Sequence, residues 1–248
     1  MVQIYKNGKW TTAVKNTGIN KTTAEVKGLN PGAEYKLRVM CFKDGTEVIY
    51  GVPAEITVST LPSVVAGFKT KSKSYNSITL QWNKNTSATG YELQKWNGKK
   101  WVALTKITRN STTTYTVKRL KASTTYKYRI RAYKTIGKAT QYSAYSATLS
   151  VRTNPSNMSG FKAKRTAKTS VTLQWRKNTS ATGYEIQKWN GKKWVSAAKV
   201  TKNSTVTSTV KNLKKNTSYR FRIRAYKTIG KATQYSSWSG TLTVRTKK

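Results

Sequence analysis

Tryptophans and lysines surround the same Asn-Gly pair at three places in this sequence. The stretch KWNGKKW occupies residues 95–101 and again residues 188–194, and a shorter form, KNGKW, occupies residues 6–10. Indole rings stack on cations and on nucleic-acid bases, and lysine adds positive charge beside them. The chemistry that these places offer is therefore binding, of a sugar or nucleic-acid chain or of a polyanion.

Catalytic chemistry is not expected. The sequence contains no histidine, so neither a Ser-His-Asp nor a Cys-His arrangement can form within it. The seven Asp and Glu residues are too sparse for paired carboxylates or for a metal site, and neither GxxxxGK[ST] nor GxGxxG occurs. We therefore expect a protein that is not an enzyme, with no catalytic residue, no cofactor and no metal.

The charge is large and unevenly distributed. The 248 residues include 48 Lys+Arg and 7 Asp+Glu, for a formal net charge of +41. Residues 1–61 hold 8 basic and 5 acidic residues, whereas residues 62–248 hold 40 basic and 2 acidic residues. Such a field attracts polyanions. No apolar run is long enough for a membrane span, and residues 1–20 do not have the pattern of a signal peptide.

The sequence repeats with a period of 93 residues. The stretch RIRAYKTIGKATQYS at residues 129–143 is identical to residues 222–236, and the repeat unit has the size of a whole domain. Short segments of alternating apolar residues dominate the unit, such as SITLQW at 77–82 and TYKYRIRAY at 125–133. Strands of this length and spacing, without a helical stretch, predict a β-sandwich.

Two features identify a family. One is a tryptophan on the second strand, Trp82 and Trp175, and the other is a corner motif, LKASTTYKYRIRA at residues 120–132. The corner recurs as LKKNTSYRFRIRA at 213–225 and as LNPGAEYKLRVMC at 29–41. In these features the chain resembles the fibronectin type III domain, which implies an all-β fold of tandem, immunoglobulin-like sandwiches.

The resemblance implies three domains. They are a partial domain at 1–61 (the first segment), a domain at 62–154 (the middle repeat) and a domain at 155–248 (the last repeat), joined by short linkers that contain proline. We expect a semi-extended rod. The first segment lacks counterparts of strands one and two. Either the chain is a section of a longer array, which we favour, or another chain supplies the two strands. Unless another chain supplies them, we expect a monomer. The same pattern places Cys41 on the inward face, as a small buried thiol.

The Asn-Gly pair is a strong signal for a two-residue hairpin turn. In residues 95–101 such a turn predicts four cross-strand pairs, which are Trp96 with Lys99, Lys95 with Lys100, Gln94 with Trp101, and Leu93 with Val102. Both tryptophans then lie on the outer face. In the first segment the turn has lost one residue on each side, so Trp10 is expected opposite Tyr5, without a counterpart of Trp96.

A second stretch predicts what lies beside the hairpin. QYSSWS at residues 234–239 resembles the WSxWS segment of cytokine-receptor fibronectin domains, in which aromatic rings and arginines stack alternately. By that resemblance the stacked residues are Tyr235 and Trp238 with Arg222 and Arg224 in the last repeat, and Tyr142 and Tyr145 with Arg129 and Arg131 in the middle repeat.

Two interpretations of this outer face stay open. The stack either satisfies itself and covers the sheet, or forms a cationic platform for a ligand. The candidate ligand-contact residues are Trp96, Lys99, Trp101, Arg129, Arg131 and Tyr133 in the middle repeat, and Trp189, Lys192, Trp194, Arg222, Arg224 and Tyr226 in the last repeat.

The resemblance also bears on function. Tandem units of this kind resemble those of bacterial wall proteins and polysaccharide-degrading enzymes, which implies an extracellular or cell-surface structural and adhesion module. The basic surface then predicts an anionic polysaccharide or cell-wall polymer as partner. The alternatives are a nonspecific nucleic-acid binder, a neutral-polysaccharide binder that uses the tryptophan pairs, and a chain whose lysines only prevent aggregation.

Overall fold

A computed structural model describes residues 1–15, 18, 20–43 and 48–248, with no account of the side chain of Ile49. The regular structure of these residues is antiparallel β-sheet throughout, and none of them lies in a helix. By its internal contacts the chain divides into two compact units. One comprises Met1–Phe68, Trp82–Thr113 and Tyr128–Leu149, and the other comprises Lys69–Gln81, Thr114–Lys127 and Ser150–Lys248. The all-β prediction is confirmed.

The first segment forms one larger sheet and one short strand pair. Its strands are β1 (Val2–Lys6), β2 (Lys9–Val14), β3 (Glu34–Val39), β4 (Phe42–Lys43), β5 (Ile49–Tyr50) and β6 (Ala54–Ser59). The larger sheet has the order β2-β1-β3-β6, and β4 pairs with β5.

The middle repeat contains two sheets. Its strands are β7 (Lys69–Lys73), β8 (Ile78–Gln81), β9 (Gly90–Trp96), β10 (Trp101–Ile107), β11 (Thr114–Val117), β12 (Thr125–Ile136), β13 (Ala139–Tyr142) and β14 (Leu149–Arg152). One sheet has the order β11-β8-β7; the other has the order β10-β9-β12-β13, with β14 also paired to β12.

The last repeat contains the same two sheets. Its strands are β15 (Lys162–Thr166), β16 (Val171–Gln174), β17 (Gly183–Trp189), β18 (Trp194–Val200), β19 (Thr207–Val210), β20 (Ser218–Ile229), β21 (Ala232–Tyr235) and β22 (Leu242–Arg245). One sheet has the order β15-β16-β19; the other has the order β18-β17-β20-β21, with β22 also paired to β20.

The core of the last repeat follows from the alternation of its strands. Side chains at every second position of a strand point to the same face, so apolar residues at that spacing line one side of each sheet. Residues from both sheets form a single buried cluster, which includes Val171, Leu173, Trp175, Tyr184, Ile186, Phe221, Ile223 and Ala225, each at most 2% exposed. The two apolar faces therefore close on each other as a sandwich.

The corner motif has a structural basis that recurs three times. The hydroxyl group of its tyrosine accepts a hydrogen bond from the backbone N–H five residues upstream, over 2.7–2.8 Å in each copy. The tyrosines are Tyr35, Tyr126 and Tyr219. A hydrogen bond of this kind fixes the chain where it enters β3, β12 or β20, and so sets which face of the strand each following residue occupies.

The expectation for Cys41 is wrong, because the structure leaves this residue exposed. Its counterparts at the same distance from the corner tyrosine, Ala132 and Ala225, are 0% exposed. Both of those residues lie within complete repeats. In the described part of the first segment no strand occupies the place that β16 takes in the last repeat, so the layer that covers Ala225 has no counterpart there.

Candidate functional site

The KWNGKKW hairpin has a longer loop than the sequence predicts. In the middle repeat Trp96 pairs directly with Trp101, and Gln94 pairs with Ala103, so the loop holds four residues instead of two. All four predicted pairs are therefore wrong. The side-chain oxygen of Asn97 stabilises this loop, because it accepts hydrogen bonds from the backbone N–H groups of Lys99 and Lys100, over 2.9 and 2.8 Å. The last repeat has the same loop and the same pairing of Trp189 with Trp194.

The longer loop brings the two tryptophans of each hairpin into contact. The rings of Trp96 and Trp101 meet edge to face, with centroids 5.5 Å apart, and those of Trp189 and Trp194 repeat this geometry. Such pairs are favoured by the aromatic quadrupole and contribute about 1 kcal/mol beyond their buried area. The two tryptophans share the outer face, as the alternation predicts.

The first segment keeps this pair in another form. Tyr5 lies opposite Trp10, as predicted, and their centroids are 5.3 Å apart. Four residues separate Tyr5 from Trp10, as four separate Trp96 from Trp101, so Tyr5 is the counterpart of Trp96 that was expected to be missing. Here the turn does have two residues, since Asn7 and Gly8 have φ angles of 50° and 78°.

A continuous stack of rings and guanidinium groups runs across the outer face of the last repeat. Its order is Trp194, Arg222, Trp238, Arg224 and Tyr235, with successive distances from guanidinium carbon to ring centroid of 4.4, 4.3, 4.4 and 3.7 Å. We call this arrangement the ladder. Each cation lies between two rings, which is the geometry that a cation–π interaction favours.

The middle repeat carries an equivalent ladder. Its order is Trp101, Arg129, Tyr145, Arg131 and Tyr142, with distances of 4.5, 3.8, 4.7 and 3.9 Å. The predicted stacking of Tyr142 and Tyr145, and of Tyr235 and Trp238, is thereby confirmed. Sequence reasoning did not extend the stack to Trp101 and Trp194, because that contact depends on the four-residue loop.

The guanidinium groups of the ladder also have oxygen partners. Arg129 donates two hydrogen bonds to the side-chain oxygen of Gln94, over 2.9 and 2.7 Å, and Arg222 does the same with Gln187. Arg131 lies 3.0 Å from Glu92, and Arg224 lies 2.7 Å from Glu185. The four arginines are half-buried. Each of these guanidinium groups therefore has two ring contacts and an oxygen partner inside its own repeat.

The described residues of the first segment contain the counterpart of one contact of the ladder, that of Arg222 with Trp194. Arg38 lies 4.5 Å from the centroid of Trp10 and donates a hydrogen bond of 2.8 Å to Gln3. Gln3 pairs with Arg38 as Gln187 pairs with Arg222, which fixes the correspondence between β1 and β17 and between β3 and β20.

The ladder changes the ionisation of Glu92. Burial by itself would raise the pKa of this carboxyl group, but hydrogen bonds from Arg131, Tyr145 and Gln94 and the charge of Arg131 outweigh burial and lower the pKa below its ordinary value. Burial, and then the hydrogen bond to Glu92, raise the pKa of Tyr145. Glu92 is therefore ionised and Tyr145 is neutral near pH 7.

The lowered pKa of Glu92 predicts an acid-sensitive middle repeat. A group whose pKa is lower in the folded than in the unfolded state stabilises the fold above the unfolded value, about 4.3 for glutamate, and this contribution is lost as the pH falls through the folded value. Glu92→Gln should cost about 1 kcal/mol at pH 7 and reduce the loss of stability as the pH falls below about 4.3. Urea unfolding at a series of pH values measures both.

Glu25→Gln is the control for that measurement. Glu25 pairs with Lys27 over 3.5 Å, but both side chains are 79% exposed, so this substitution should leave the pH dependence as it is. A Glu92→Gln variant with the pH dependence of the unsubstituted chain would contradict the prediction.

The remaining candidate residues fall into two groups. Lys99 and Lys192 are exposed in the hairpin loops. Tyr133 and Tyr226 are 3% and 4% exposed, which corrects the expectation that they present a contact surface. Each lies on the predicted face, but a neighbouring ring, Tyr142 or Tyr235, lies beside it, and a lysine, Lys106 or Lys199, lies over it.

No group of three or more metal-ligating side chains was found among the described residues. In the same part of the chain, no helix is long and apolar enough to cross a membrane.

The sequence is similar to one family profile and to several known proteins. The profile of the Fibronectin type III domain matches residues 63–148 and 154–241. Human Phosphatidylinositol phosphatase PTPRQ is 26% identical over 266 residues, which cover 98% of this chain and 11% of that protein. Chitinase A1 of Niallia circulans is 29% identical over 194 residues, which cover 72% of this chain and 25% of that protein. The chain thus spans between about a tenth and a quarter of the length of these relatives.

A two-domain fibronectin type III segment of chicken tenascin is similar in structure, with a TM-score of 0.46 and 16% identity, over 74% of this chain and 99% of that one. The profile matches most of the middle and last repeats, which also contain the corner tyrosine and the core tryptophan. The expectation of tandem domains is confirmed, and the chain belongs to the fibronectin type III family.

Proposed function

We propose that this chain is a non-enzymatic structural and adhesion module of a secreted or surface protein, and that it binds anionic polymers such as cell-wall polymers or acidic glycans. Fibronectin type III domains are typically non-catalytic and typical of extracellular proteins. One relative is named as a chitinase, an enzyme that acts on a polysaccharide, which supports a polysaccharide as the partner.

The main support for this proposal is the excess positive charge of the middle and last repeats. Residues 62–248 hold 40 basic residues and only two acidic ones, Glu92 and Glu185. Both acids are already paired, with Arg131 and Arg224, inside the ladder. No other carboxylate side chain in these residues offsets the exposed lysines, so the surface presents a positive field to any polyanion.

The structure favours lysines over arginines as the contacts. The four ladder arginines are half-buried between rings, and each has an oxygen partner, so a polymer would have to compete with these contacts. The hairpin loops instead present exposed lysines beside the half-buried tryptophans, and these lysines are Lys99, Lys100, Lys192 and Lys193. In this proposal the ladder is a scaffold that holds a cationic loop at the edge of the sheet.

Binding of the whole chain to polyanions across a salt series tests the proposal. We expect log K to fall linearly with log salt on heparin, on a polycarboxylate and on wall polymer, as counterions are released. Replacement of the four loop lysines by glutamine should reduce the magnitude of the slope by about three, if each contact contributes about 0.7–0.9. Affinity chromatography or calorimetry gives the slope.

A matched variant distinguishes the effect of where the lysines lie from the effect of the total charge removed. Lys69, Lys71, Lys162 and Lys164 are exposed on β7 and β15, and their replacement by glutamine removes the same charge. This control should change the slope by less than the loop variant. Equal slopes for the two variants would reject the loops as the contact site, and absence of binding at low salt would reject polyanion binding.

One observation favours a second candidate, the binding of a neutral polysaccharide at Trp96. In the last repeat Arg220 lies 5.0 Å from the centroid of Trp189, but the corresponding residue in the middle repeat is Lys127, and the described residues place no cation over Trp96. If the chain is retained on insoluble chitin even at high salt, and Trp96→Ala abolishes this retention, the result would support this candidate. Retention that salt abolishes would reject it.

A further inference from the structure

A cleft of about 400 Å³ lies in the compact unit that contains the last repeat, away from the ladder and the hairpin loops. Its lining includes Lys73 on β7, Arg152 at the end of β14 and Gln234 on β21. Three residues with hydroxyl groups also line it, and these are Thr70, Thr125 and Ser150. Sites for small molecules have volumes of about 300–1,000 Å³. The cleft therefore has the size and the polar groups of a site for a small polar ligand.

The lysine of the cleft has no anion beside it. Lys73 is half-buried, and its side chain forms no hydrogen bond or ion pair with the described residues. The two acidic residues of the middle and last repeats, Glu92 and Glu185, are paired inside the ladder. Burial lowers the pKa of Lys73, and no nearby carboxylate opposes this effect. An anion in the cleft would therefore offset a cost that the folded chain already bears.

The arginine of the cleft has donors to spare. Nη1 of Arg152 donates a hydrogen bond of 2.8 Å to the carbonyl oxygen of Ser123. The side chain of Arg152 has no other hydrogen bond with the described residues. A guanidinium group has five N–H donors in a planar fork, which fits an acidic group through two parallel hydrogen bonds. Nε and Nη2 of Arg152 can therefore bind an anion without loss of the contact with Ser123.

The preceding part of the chain shows the same place without the second cation. Gln141 is the counterpart of Gln234, and Ser59 is the counterpart of Arg152, since each of the latter two comes directly before a linker, TLPS or TNPS. The side-chain nitrogen of Gln141 donates hydrogen bonds of 2.5 and 3.3 Å to the hydroxyl and carbonyl oxygens of Ser59. An arginine side chain accepts no hydrogen bond, so Gln234 lacks this partner.

The amide group of Gln234 is left without a partner. Its side chain forms no hydrogen bond with the described residues, and its side-chain oxygen is buried. The side-chain oxygen of Gln141 is also buried and unpaired, so the two places differ in the amide nitrogen and in the cation. Buried polar groups are usually paired, with protein, water or ligand. Arginine at position 152 thus adds a positive charge and leaves an amide available at one place.

We propose that this cleft binds an acidic sugar residue. The acidic group lies between Lys73 and Arg152, and the sugar hydroxyl groups bond to Gln234 and to the hydroxyl side chains of the lining. Cations and neutral hydrogen-bonding groups in one cleft suit a ligand that carries both kinds of partner. The inference rests on the proposed function, since the sugar would be one unit of the anionic polymer, and it gives that polymer a defined site in addition to the loops.

Titration of the whole chain with two acidic sugars tests this proposal. The probes are digalacturonate and glucose 6-phosphate, which differ in the acidic group, and their neutral matches are the methyl ester of digalacturonate and glucose. Calorimetry should show that an acidic probe binds about tenfold or more tightly than its neutral match. The side-chain amide signals of Gln234 should shift in the NMR spectrum, whereas those of Gln141, which already bonds to Ser59, should not.

Variants of the chain locate the site. Arg152→Ser introduces the residue that the chain already has at Ser59, so it should fold, and Lys73→Gln removes the other cation. Each should weaken binding of the acidic sugar by about tenfold or more. Arg245→Ser and Lys71→Gln are the matched controls. Arg245 is the counterpart of Arg152 in the last repeat, Lys71 lies on β7, and both are exposed and outside the cleft, so binding should stay unchanged.

Four outcomes would overturn the proposal. They are no binding of either acidic sugar, equal binding of the neutral matches, an equal loss in Arg245→Ser and Arg152→Ser, and a loss of binding when the four loop lysines are replaced by glutamine. The last result would place the sugar at the hairpin loops. A chain that binds an acidic sugar at the cleft but no polyanion would contradict the proposed function alone. Polyanion binding that depends on the loops, without any effect of an acidic sugar on Gln234, would contradict the cleft alone.

Discussion

Replacement of Gly183 by alanine is expected to lower the stability of the last repeat by about 3 kcal/mol. Gly183 is the first residue of β17, and a Cβ atom there would overlap the carbonyl oxygen of Val200 and lie 2.6 Å from the hydroxyl oxygen of Tyr226. The carbonyl group belongs to the backbone of β18, which pairs with β17, so it cannot turn aside as a flexible side chain would. The strand must shift, and with it the residues that it places in the core and beside the ladder.

The measurement has to distinguish one repeat from the others, because chains with several domains do not unfold in a single two-state step. Amide hydrogen exchange of β16 and β19 reports on the last repeat alone. Gly240→Ala is the control, because no heavy atom lies within 4 Å of its Cβ position and its φ is not in the left-handed region. That substitution should change stability by less than about 0.5 kcal/mol. Equal effects of the two substitutions would refute the steric argument.

The register of the KWNGKKW hairpin shows a limit of sequence reasoning. A two-residue turn and a four-residue loop at the same Asn-Gly differ by two positions in register, and a strand repeats its orientation every two residues. Both registers therefore put Trp96 and Trp101 on the outer face, so the face was predictable and the partner of Trp101 was not. In the longer loop the side chain of Asn97 accepts hydrogen bonds from two loop N–H groups, but the Asn-Gly pair of the first segment forms the two-residue turn, so this pair alone does not determine the register.

The depth of a side chain was harder to predict than its direction. Alternation places Tyr133 with Arg129 and Arg131, and the structure agrees. Its burial depends on residues of two other strands, since Tyr142 on β13 lies beside it and Gly90 on β9 leaves room for its hydroxyl group. Cys41 is the opposite case, because it is exposed although its counterparts Ala132 and Ala225 are buried. A period of two carries information about the face of a strand and none about what lies above it.

The ladder was predictable for a different reason. Arginines at alternate positions of β12 and β20 share a face, and the QYSSWS pattern supplies aromatic residues at a spacing that matches them. The amide partners could not be found in this way, because Gln94 and Gln187 meet Arg129 and Arg222 only through strand pairing. A polar residue between buried positions of β9 and β17, opposite an arginine, is the signal that would have identified them.

Trp238→Ala is expected to destabilise the last repeat by about 2–3 kcal/mol. The ring of Trp238 lies between two cations, 4.3 Å from the guanidinium carbon of Arg222 and 4.4 Å from that of Arg224. Its removal eliminates two cation–π contacts of about 0.5–1 kcal/mol each, together with the packing of a half-buried indole ring. It also leaves two like charges facing each other; burial, and then the charge of Arg224, already lower the pKa of Arg222.

Trp238→Tyr is the matched control, because the middle repeat has Tyr145 at this position. There the ring lies 3.8 and 4.7 Å from the guanidinium carbons of Arg129 and Arg131, and its hydroxyl group donates a hydrogen bond of 3.0 Å to Glu92. The tyrosine variant should therefore lose less than about 1 kcal/mol, since a tyrosine ring accepts the same cations. Hydrogen exchange of β20 measures both variants.

The same two variants decide what the ladder is for. If it is a scaffold, Trp238→Ala lowers stability but leaves the salt dependence of polyanion binding unchanged at temperatures where the repeat stays folded, because the exposed loop lysines remain in place. If the arginines were the contacts, removal of the ring that lies between Arg222 and Arg224 would expose one side of both guanidinium groups, and the salt slope would become steeper. A steeper slope in the alanine variant, absent from the tyrosine variant, would therefore assign binding to the arginines instead of the loops.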